Sequence, residues 1–345
     1  MIASWQHTLE THGATIIKGS VADFGNADAE QQQSAIGPIV ADLSHLNLIQ
    51  FVGEDAQSFL QGQLSNDVRL LDGANAQFTS YNTPKGRMLA NGLLWQNAPN
   101  SYIFQLPASL REAIQKRLSM FVMRAKVKVS DASDDWVRLG FGGAGAAAAL
   151  SQAVDALPAA VQGLVQTSFG SVLRLPGDHF ELLIAPDQAA AIWEKLLQQA
   201  KPVGYACWDD LLIRAGIPTV LPATQEQFVA QMLNYELIDG VNFKKGCYPG
   251  QEIVARTQYL GKPKRRMYLA HIACAESPQP GDELYSADLP DQACGMIVNA
   301  APGTTGGFDV LAVIQISSAA GQDLHLKSQQ GPQLNLQTLP YAVPL

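Results

Sequence analysis

The sequence has few of the residues that build metal centres. Among its 345 residues are four cysteines and six histidines, and neither type forms a C-x-x-C or H-x-x-x-H pair. Structural zinc sites and cysteine-ligated iron–sulfur clusters are usually built from such local pairs. We therefore expect no metal site formed by the chain alone. The cysteines are Cys207, Cys247, Cys274 and Cys294.

Long apolar runs are also missing. No stretch reaches the roughly 20 apolar residues that cross a bilayer, and residues 1–10 show neither the basic nor the apolar segment of a secretory signal. The hydrophobic fraction of 47% and the charged fraction of 16% are typical of a globular protein. We therefore expect a cytoplasmic protein without a membrane partner, long enough for two or three domains.

Positive charge is scarce overall but concentrated in one segment. The formal net charge is −8, whereas residues 244–266 contain seven basic residues and one acidic residue. A focused basic patch on an acidic chain favours a defined anionic ligand over general nucleic-acid binding. A solvated basic face without a ligand is the alternative. The basic residues are Lys244, Lys245, Arg256, Lys262, Lys264, Arg265 and Arg266.

The centre of this segment is a cysteine between two glycines. Gly246 and Gly250 predict a tight turn that presents Cys247, and residues 251–258 have the composition of a short helix with acidic Glu252 in its first turn. A thiol beside lysines and a helix N-terminus is favoured as the reactive thiolate. The alternative is that Cys247 is a small buried side chain, as most free cysteines are.

The rest of the chain reads as mixed α and β structure. Residues 1–37 are polar and predict a loosely packed lead-in. Two similar stretches, 102–118 and 180–197, each run from a strand through a proline to a helix, which indicates duplicated α/β units with antiparallel sheets. From residue 267 onward, short alternating runs separated by Pro-Gly pairs predict a small β-barrel.

A glycine-rich stretch resembles a dinucleotide-binding motif. Residues 140–145 (GFGGAG) follow a predicted strand and precede an Ala-rich helix, as in G-x-G-x-x-G. The Asp or Glu expected about 20 residues later is absent. Close packing of a helix on a strand accounts for these glycines without a cofactor.

Residues 244–252 (KKGCYPGQE) resemble the signature of YgfZ-type proteins. These are folate-binding relatives of the aminomethyltransferase (T-protein) of the glycine cleavage system, implicated in the assembly or upkeep of iron–sulfur enzymes. Residues 59–68 (FLQGQLSNDV) and 207–218 (CWDDLLIRAGIP) are also similar to stretches of T-protein relatives. The resemblance implies an α+β fold of tandem ferredoxin-like units followed by a C-terminal β-barrel. The expected domains are residues 38–130, 131–260 and 261–345.

The same resemblance implies a function and a cofactor. It points to an accessory factor that binds tetrahydrofolate or a derivative and serves iron–sulfur enzymes or cluster-assembly proteins, including enzymes that modify tRNA. Contact with RNA would be indirect, because the basic segment lacks the aromatic pattern of RNA-binding motifs.

Candidate site residues follow from this resemblance. Cys247 is the expected reactive thiol. Trp208 matches a tryptophan linked to folate in the YgfZ group, whereas a second such position is Leu46 here. Lys244 and Lys245 would hold the carboxylates of the glutamyl tail, and Gln251 and Glu252 would either bond a ligand or fix the turn. The folate set is Trp208, Lys244, Lys245, Tyr248, Gln251, Glu252 and Arg256, with Arg256 and residues 262–266 also forming an outer surface toward a partner.

Two positions depart from the T-protein pattern. Asn91 stands where T-protein relatives have an aspartate, and Arg214 stands where they often have a glutamate. An amide neither carries negative charge nor accepts a proton as a carboxylate does. These departures argue against aminomethyltransferase activity and leave open whether the chain catalyses a reaction. The alternative function is a folate-dependent one-carbon transferase related to aminomethyltransferase, and a different folate reaction that uses Cys247 is left open.

Overall fold

The computed structural model describes residues 1–261, 263–290 and 292–344. Helices and strands are mixed along the chain, as predicted for the α+β class. The helices are α1 (Ala3–Thr11), α2 (Ala27–Ile36), α3 (Ala56–Gln61), α4 (Ala108–Met120), α5 (Ala146–Leu150), α6 (Ala189–Leu197), α7 (Tyr205–Arg214), α8 (Gln251–Tyr259) and α9 (Ile316–Gly321).

The strands are short, and most pair in antiparallel fashion. They are β1 (Thr15–Ile17), β2 (Ser20–Asp23), β3 (Pro38–Asp42), β4 (Leu46–Val52), β5 (Ala76–Asn82), β6 (Met88–Ala98), β7 (Ser101–Pro107), β8 (Lys128–Asp131), β9 (Val137–Gly143), β10 (Leu164–Thr167), β11 (Gly170–Leu175), β12 (His179–Ile184), β13 (Lys201–Val203), β14 (Arg265–Ile272), β15 (Glu283–Ser286), β16 (Gly295–Pro302), β17 (Phe308–Gln315), β18 (Leu324–Leu326) and β19 (Leu334–Gln337).

The chain divides into two structural units, each built from separate stretches of sequence. The first unit comprises Met1–Ala56, Leu71–Gln77 and Leu94–Leu211, and the second comprises Gln57–Leu70, Phe78–Leu93 and the described residues from Leu212 onward. The expected domain boundaries after residues 130 and 260 stay a prediction.

The first unit contains a six-stranded sheet in the order β10-β11-β12-β9-β3-β13. Its pairings are antiparallel except for β13, which lies parallel to β3. The unit also contains strands β7, β4 and β8 of a second sheet, in which β4 pairs with both neighbours. Each predicted repeat appears as a strand followed by a helix, first β7 and α4, then β12 and α6.

The first 37 residues are packed, so the predicted loose lead-in is wrong. They form α1, the β1–β2 hairpin and α2. Trp5 and Leu9 lie one helical turn apart on α1 and are both buried in the core of the first unit. The indole N–H of Trp5 donates to Asp42 at 2.8 Å, and its ring meets Trp193 edge-on at 5.5 Å. Val21 is buried in the same core, and Ile16 and Phe24 pack against it, so a few well-placed apolar side chains anchor a segment whose average composition is polar.

The glycines of the dinucleotide-like motif allow a helix to approach a strand. A Cβ on Gly140 would lie 2.5 Å from the indole of Trp208, and one on Gly142 would lie 2.6 Å from the side chain of Leu211. Trp208 and Leu211 belong to α7. The glycines on β9 therefore make room for the side chains of a helix, as the packing interpretation predicted.

The second unit contains the predicted C-terminal β structure. Six antiparallel strands follow the order β18-β15-β16-β17-β14-β19 around a buried apolar core. The two outer strands approach each other, because His325 forms a bridge with Gln333 and Leu326 N donates to Pro332 O at 2.9 Å. The sheet is therefore curled into a nearly closed barrel. None of the helices in the described part of the chain has the length and apolarity needed to cross a membrane.

A buried carboxyl group makes the stability of the first unit depend on pH. Glu181 lies on β12, and Gln105 Nε2 donates to its carboxylate at 2.7 Å. Burial raises the pKa of Glu181 to about 7. The folded-state pKa lies above the unfolded-state value. The contribution of Glu181 to the unfolding free energy is therefore fully present below about pH 4.5 and is lost as the pH rises to about 7.

We expect Glu181→Gln to flatten this pH dependence, since a glutamine keeps the bond to Gln105 and carries no charge. Between pH 4 and 8, the difference in unfolding free energy between variant and wild type should change by about 3 kcal/mol, in favour of the variant at high pH. Urea unfolding at several pH values measures this. The exposed Glu112→Gln is the control, and parallel curves for Glu181→Gln and wild type would contradict the assignment.

Candidate functional site

The KKGCYPGQE stretch forms a turn that leads into helix α8 of the second unit. The helix covers Gln251–Tyr259, which confirms the predicted helix at 251–258. Gly250 precedes it with φ of 81°, in the left-handed region that favours glycine. Glu252 lies in the first turn of the helix, where a negative charge is stabilising.

This turn touches a second glycine turn through the backbone. A Cβ on Gly250 would lie 2.5 Å from Gly86 Cα and 2.6 Å from Thr83 O. Gly86 also has a positive φ, 72°, and a Cβ there would lie 3.1 Å from Ile253 Cβ on α8. The Thr83–Arg87 turn is closed by hydrogen bonds from Gly86 N to Thr83 O and from Thr83 N to Arg87 O. The contact therefore leaves no room for a Cβ at position 250, and a Cβ at position 86 would be crowded and at a left-handed φ.

Lys245 anchors the turn from within. Its side chain is buried, and Nζ donates to the carbonyl oxygens of Gln61 at 2.8 Å, Asn66 at 3.0 Å and Leu64. Nζ also lies 4.9 Å from the centre of the Tyr248 ring, within cation–π range. Burial lowers the pKa of Lys245 to about 8. An ammonium has three protons to donate, and here three carbonyls accept, so Lys245 ties the signature to residues 61–66.

Cys247 lies at the exposed tip of the turn. It is exposed together with Gly246, while Lys245 before them and Tyr248 after them are buried. The exposure rules out the alternative that Cys247 is a buried core side chain. The two buried neighbours fix the backbone on either side of the thiol, so the turn presents Cys247 to solvent from a defined position.

The other predicted site residues of this stretch fall into two groups. Tyr248 is buried, which raises its pKa to about 12, and Gln251 is half-buried with Nε2 donating to Lys245 O at 3.5 Å. Both are therefore brought together with Lys245. Lys244, Glu252 and Arg256 are exposed.

The basic segment is only partly a surface feature. Arg266 is buried, and its guanidinium pairs with the buried Glu236 and donates to Gln231 O at 2.8 Å. The expected outer surface is thus wrong for Arg266, because a buried arginine must be paired to offset its desolvation. Lys264 and Arg265 are exposed, and Lys262 lies outside the described residues.

Trp208 belongs to the first unit and is fully buried. Its indole packs on Gly140 and meets the ring of His179 edge-on at 6.0 Å. The indole N–H has no hydrogen-bond partner among the described residues. Its contact with folate stays a prediction.

Asn91 uses both ends of its amide. Its Nδ2 donates to Pro218 O at 2.7 Å, and its Oδ1 accepts from Val220 N at 2.7 Å, all within the second unit. A carboxylate only accepts hydrogen bonds, so an aspartate here would accept from Val220 N but would not donate to Pro218 O. The geometry therefore explains an amide at this position by its bonds to residues 218–220. Arg214, the other departure, is the last residue of α7.

Sequence reasoning missed the segment that receives Lys245. Residues 61–66 supply the three carbonyls, and the segment is itself held by side chains. Asn66 Nδ2 donates to Phe78 O at 2.8 Å and to Asp239 O at 2.6 Å, while Ser65 Oγ donates to Gly240 O at 2.7 Å. The similarity of residues 59–68 to T-protein relatives was a signal for this segment. Its role could not be predicted from residue types, because the groups that bind Lys245 are main-chain carbonyls, which every residue has. In the part of the chain that the structure describes, no three His, Cys, Asp or Glu side chains are grouped to hold a metal ion.

The glycine contact gives a stability prediction with a control in the same stretch. Gly250→Ala adds a methyl group against the Gly86 backbone at a left-handed φ, so we expect a loss of about 2–4 kcal/mol in unfolding free energy. A Cβ on Gly246 meets nothing within 4 Å, so Gly246→Ala should change stability by less than about 0.5 kcal/mol. Urea unfolding of both variants measures the difference. Equal losses would show that the turns do not depend on this contact.

Asn91→Asp should destabilise the second unit. The new carboxylate loses the bond to Pro218 O and places an oxygen against that carbonyl, which should cost about 2 kcal/mol at neutral pH. Acidification should recover part of the loss, because a protonated carboxyl donates a hydrogen bond. Urea unfolding at neutral and acidic pH tests this, with the exposed Asn335→Asp as control. An unchanged midpoint would show that the two bonds are not required.

Comparison with known proteins identifies the family. The GCVT N-terminal domain family matches residues 18–174. The tRNA-modifying protein YgfZ of Pectobacterium carotovorum is 30% identical over 312 residues, which cover 89% of this chain and 93% of that protein. The protein of the same name from Sodalis glossinidius is 31% identical over 300 residues, covering 86% and 90%.

A solved structure shows the fold. The aminomethyltransferase T of the glycine cleavage system from Bartonella henselae matches 97% of this chain and 96% of its own, with a TM-score of 0.79 and 18% identity. The chain therefore has the T-protein-like α+β fold that the sequence predicted. The sequence relatives show that the chain belongs to the YgfZ family of tRNA-modifying proteins.

Proposed function

We propose that the chain is a folate-binding accessory factor for the assembly or maintenance of iron–sulfur enzymes, including enzymes that modify tRNA. The observation that carries this proposal is the exposed thiol of Cys247 on a turn that is anchored on both sides. A thiol held in this way is available to a partner molecule, and a thiolate is both a nucleophile and a ligand for iron. The family name and the fold support the same interpretation.

Buried polar groups of the second unit fit a ligand such as tetrahydrofolate. Asn82 is buried, and neither Oδ1 nor Nδ2 has a hydrogen-bond partner among the described residues. Ser80 Oγ is also buried without such a partner. The two residues are two apart on β5, so their side chains leave the same face of the strand. Unsatisfied buried groups are costly, and a pterin ring has donors and acceptors along its edge to satisfy them.

The exposed cations suit the other end of folate. Lys244 and Arg256 are exposed in the second unit, and no ion pair involves them in the described part of the structure. Lysine and arginine bind the carboxylates of a glutamyl tail. Lys245, whose ammonium meets three carbonyls, would position the turn. Folate bound to the protein would supply one-carbon or redox chemistry, while these residues bind and orient it.

The geometry around Asn91 supports an accessory role over one-carbon transfer. In such a transfer, a carboxylate near the reacting nitrogen would manage a proton. At this position the amide is committed to Pro218 O and Val220 N. The link to tRNA then runs through the enzymes that the protein serves.

Titration with tetrahydrofolate tests the cofactor. The five tryptophans provide a fluorescence signal, which we expect to saturate while the folate is recovered unchanged. Failure to saturate would remove folate from the proposal. Recovery of a methylated, formylated or oxidised product in catalytic amounts would favour the one-carbon transferase.

Replacement of Cys247 tests the thiol in cells. Cys247→Ala should unfold at the same urea concentration as wild type, because the side chain is exposed, yet fail to restore an iron–sulfur-dependent enzyme activity in cells that lack the native protein. Cys274→Ala is the matched control on the same unit and should restore the activity in full. Full restoration by Cys247→Ala would show that the thiol is dispensable.

A further inference from the structure

The first unit exposes three large apolar side chains within four residues. Met120 is 65% exposed, Phe121 48% and Met123 87%, and they follow one another at the end of α4. We name them the 120–123 patch. Contiguous exposed apolar side chains often mark a surface that binds another molecule. The neighbouring Leu118 is buried, so the helix already has an apolar residue in the core and the patch is not needed for packing.

The loop after the patch is held in place. A Cβ on Gly53 would lie 1.9 Å from Lys126 O, so the two backbone segments touch and only glycine fits. Lys126 N donates to Asp55 Oδ2 at 2.8 Å, and Lys126 Nζ pairs with Glu54 at 2.7 Å. The 120–123 patch therefore lies between α4 and an anchored loop. The backbone of such a surface loses little conformational entropy when a partner binds.

Positive charge predominates in the segment that carries the patch, although Glu54 and Asp55 bond to its Lys126. Residues 116–128 contain five basic side chains and no acidic one, in a chain with a net charge of −8. Lys116, Arg124 and Lys128 are exposed and form no ion pair within the described residues. An apolar centre with a basic rim complements a surface that combines apolar side chains with carboxylates.

We propose that the 120–123 patch docks an acidic, partly apolar segment of a partner protein. Met120, Phe121 and Met123 would contact its apolar side chains, while Lys116, Arg124 and Lys128 would pair with its carboxylates. Methionine, aromatic residues and arginine are enriched in protein interfaces, and methionine adapts to varied partner surfaces. An RNA site would be expected to stack bases on several aromatic rings, and the patch has one. The proposal is independent of folate and of Cys247.

The test uses the full chain and a synthetic peptide in which glutamate alternates with leucine and phenylalanine. Binding is followed by the fluorescence anisotropy of a labelled peptide. The apolar variant is Met120→Gln/Phe121→Ser/Met123→Gln, and the charge variant is Lys116→Gln/Arg124→Gln/Lys128→Gln. We expect each to weaken binding at least about tenfold, and the charge variant to reduce its dependence on salt.

The matched controls change similar exposed side chains elsewhere in the first unit. They are Ile36→Gln/Val161→Thr for apolar surface and Lys195→Gln/Lys201→Gln for charge, and both should bind the peptide as wild type does. Urea unfolding checks that every variant folds. Absence of peptide binding, or equal loss in the controls, would overturn the proposal.

Three parallel measurements test whether a membrane, RNA or a second copy of the chain binds the 120–123 patch instead. If the peptide does not bind, a phosphatidylglycerol vesicle that binds the wild type but not the apolar variant would show that the patch contacts a membrane. The same result with an unmodified tRNA transcript would show that it contacts RNA. Sedimentation of the protein alone measures whether it is a monomer or a dimer. A dimer that the apolar variant dissociates would assign the patch to self-association and overturn the proposal.

Discussion

The candidate site of the second unit depends on close contact between two backbone turns. Gly86 and Gly250 meet at a distance that no side chain permits, and the Lys245 ammonium fastens the same turn to the carbonyls of residues 61–66. Each restraint acts on the main chain, so together they define where the backbone of residues 245–250 lies. Cys247 is exposed because its neighbours are held, and this combination of a fixed backbone and a free thiol makes the turn suitable for contact with a partner.

Glycine has the same use in the first unit, with a different outcome. Gly140 and Gly142 admit Trp208 and Leu211 of α7 against β9, so a motif typical of nucleotide-binding loops here serves helix packing. The same residue type thus allows backbone-on-backbone contact at Gly250 and side-chain-on-backbone contact at Gly140. The surrounding fold decides which of the two occurs, because glycine only removes a steric obstacle.

The basic residues divide by what surrounds them. Lys245 and Arg266 are buried and bonded to carbonyls or to Glu236, and they stabilise the loops that they join. Lys244, Arg256, Lys264 and Arg265 are exposed and remain available to an anionic ligand or partner. The net charge counts buried and exposed basic residues alike, although the exposed residues contribute most to the potential at the protein surface. The basic residues near the 120–123 patch are not distinguished in the sequence, because the exposure of Met120, Phe121 and Met123 depends on the fold.

The sequence by itself determined the class of fold, the strand and helix order of the repeats, the C-terminal β structure and the helix that follows Gly250. These follow from local periodicity, glycine, proline and a long signature, all of which act between residues close in the chain. The burial of Trp5, the three carbonyls around Lys245, the pairing of Arg266 with Glu236 and the bonds of Asn91 were decided by the tertiary structure. In each case the partner is distant in sequence or is a main-chain atom, so the residue types along the chain do not predict it. The exposure of Cys247 belongs to both, because glycine predicts the turn and only its buried neighbours show which way the thiol faces.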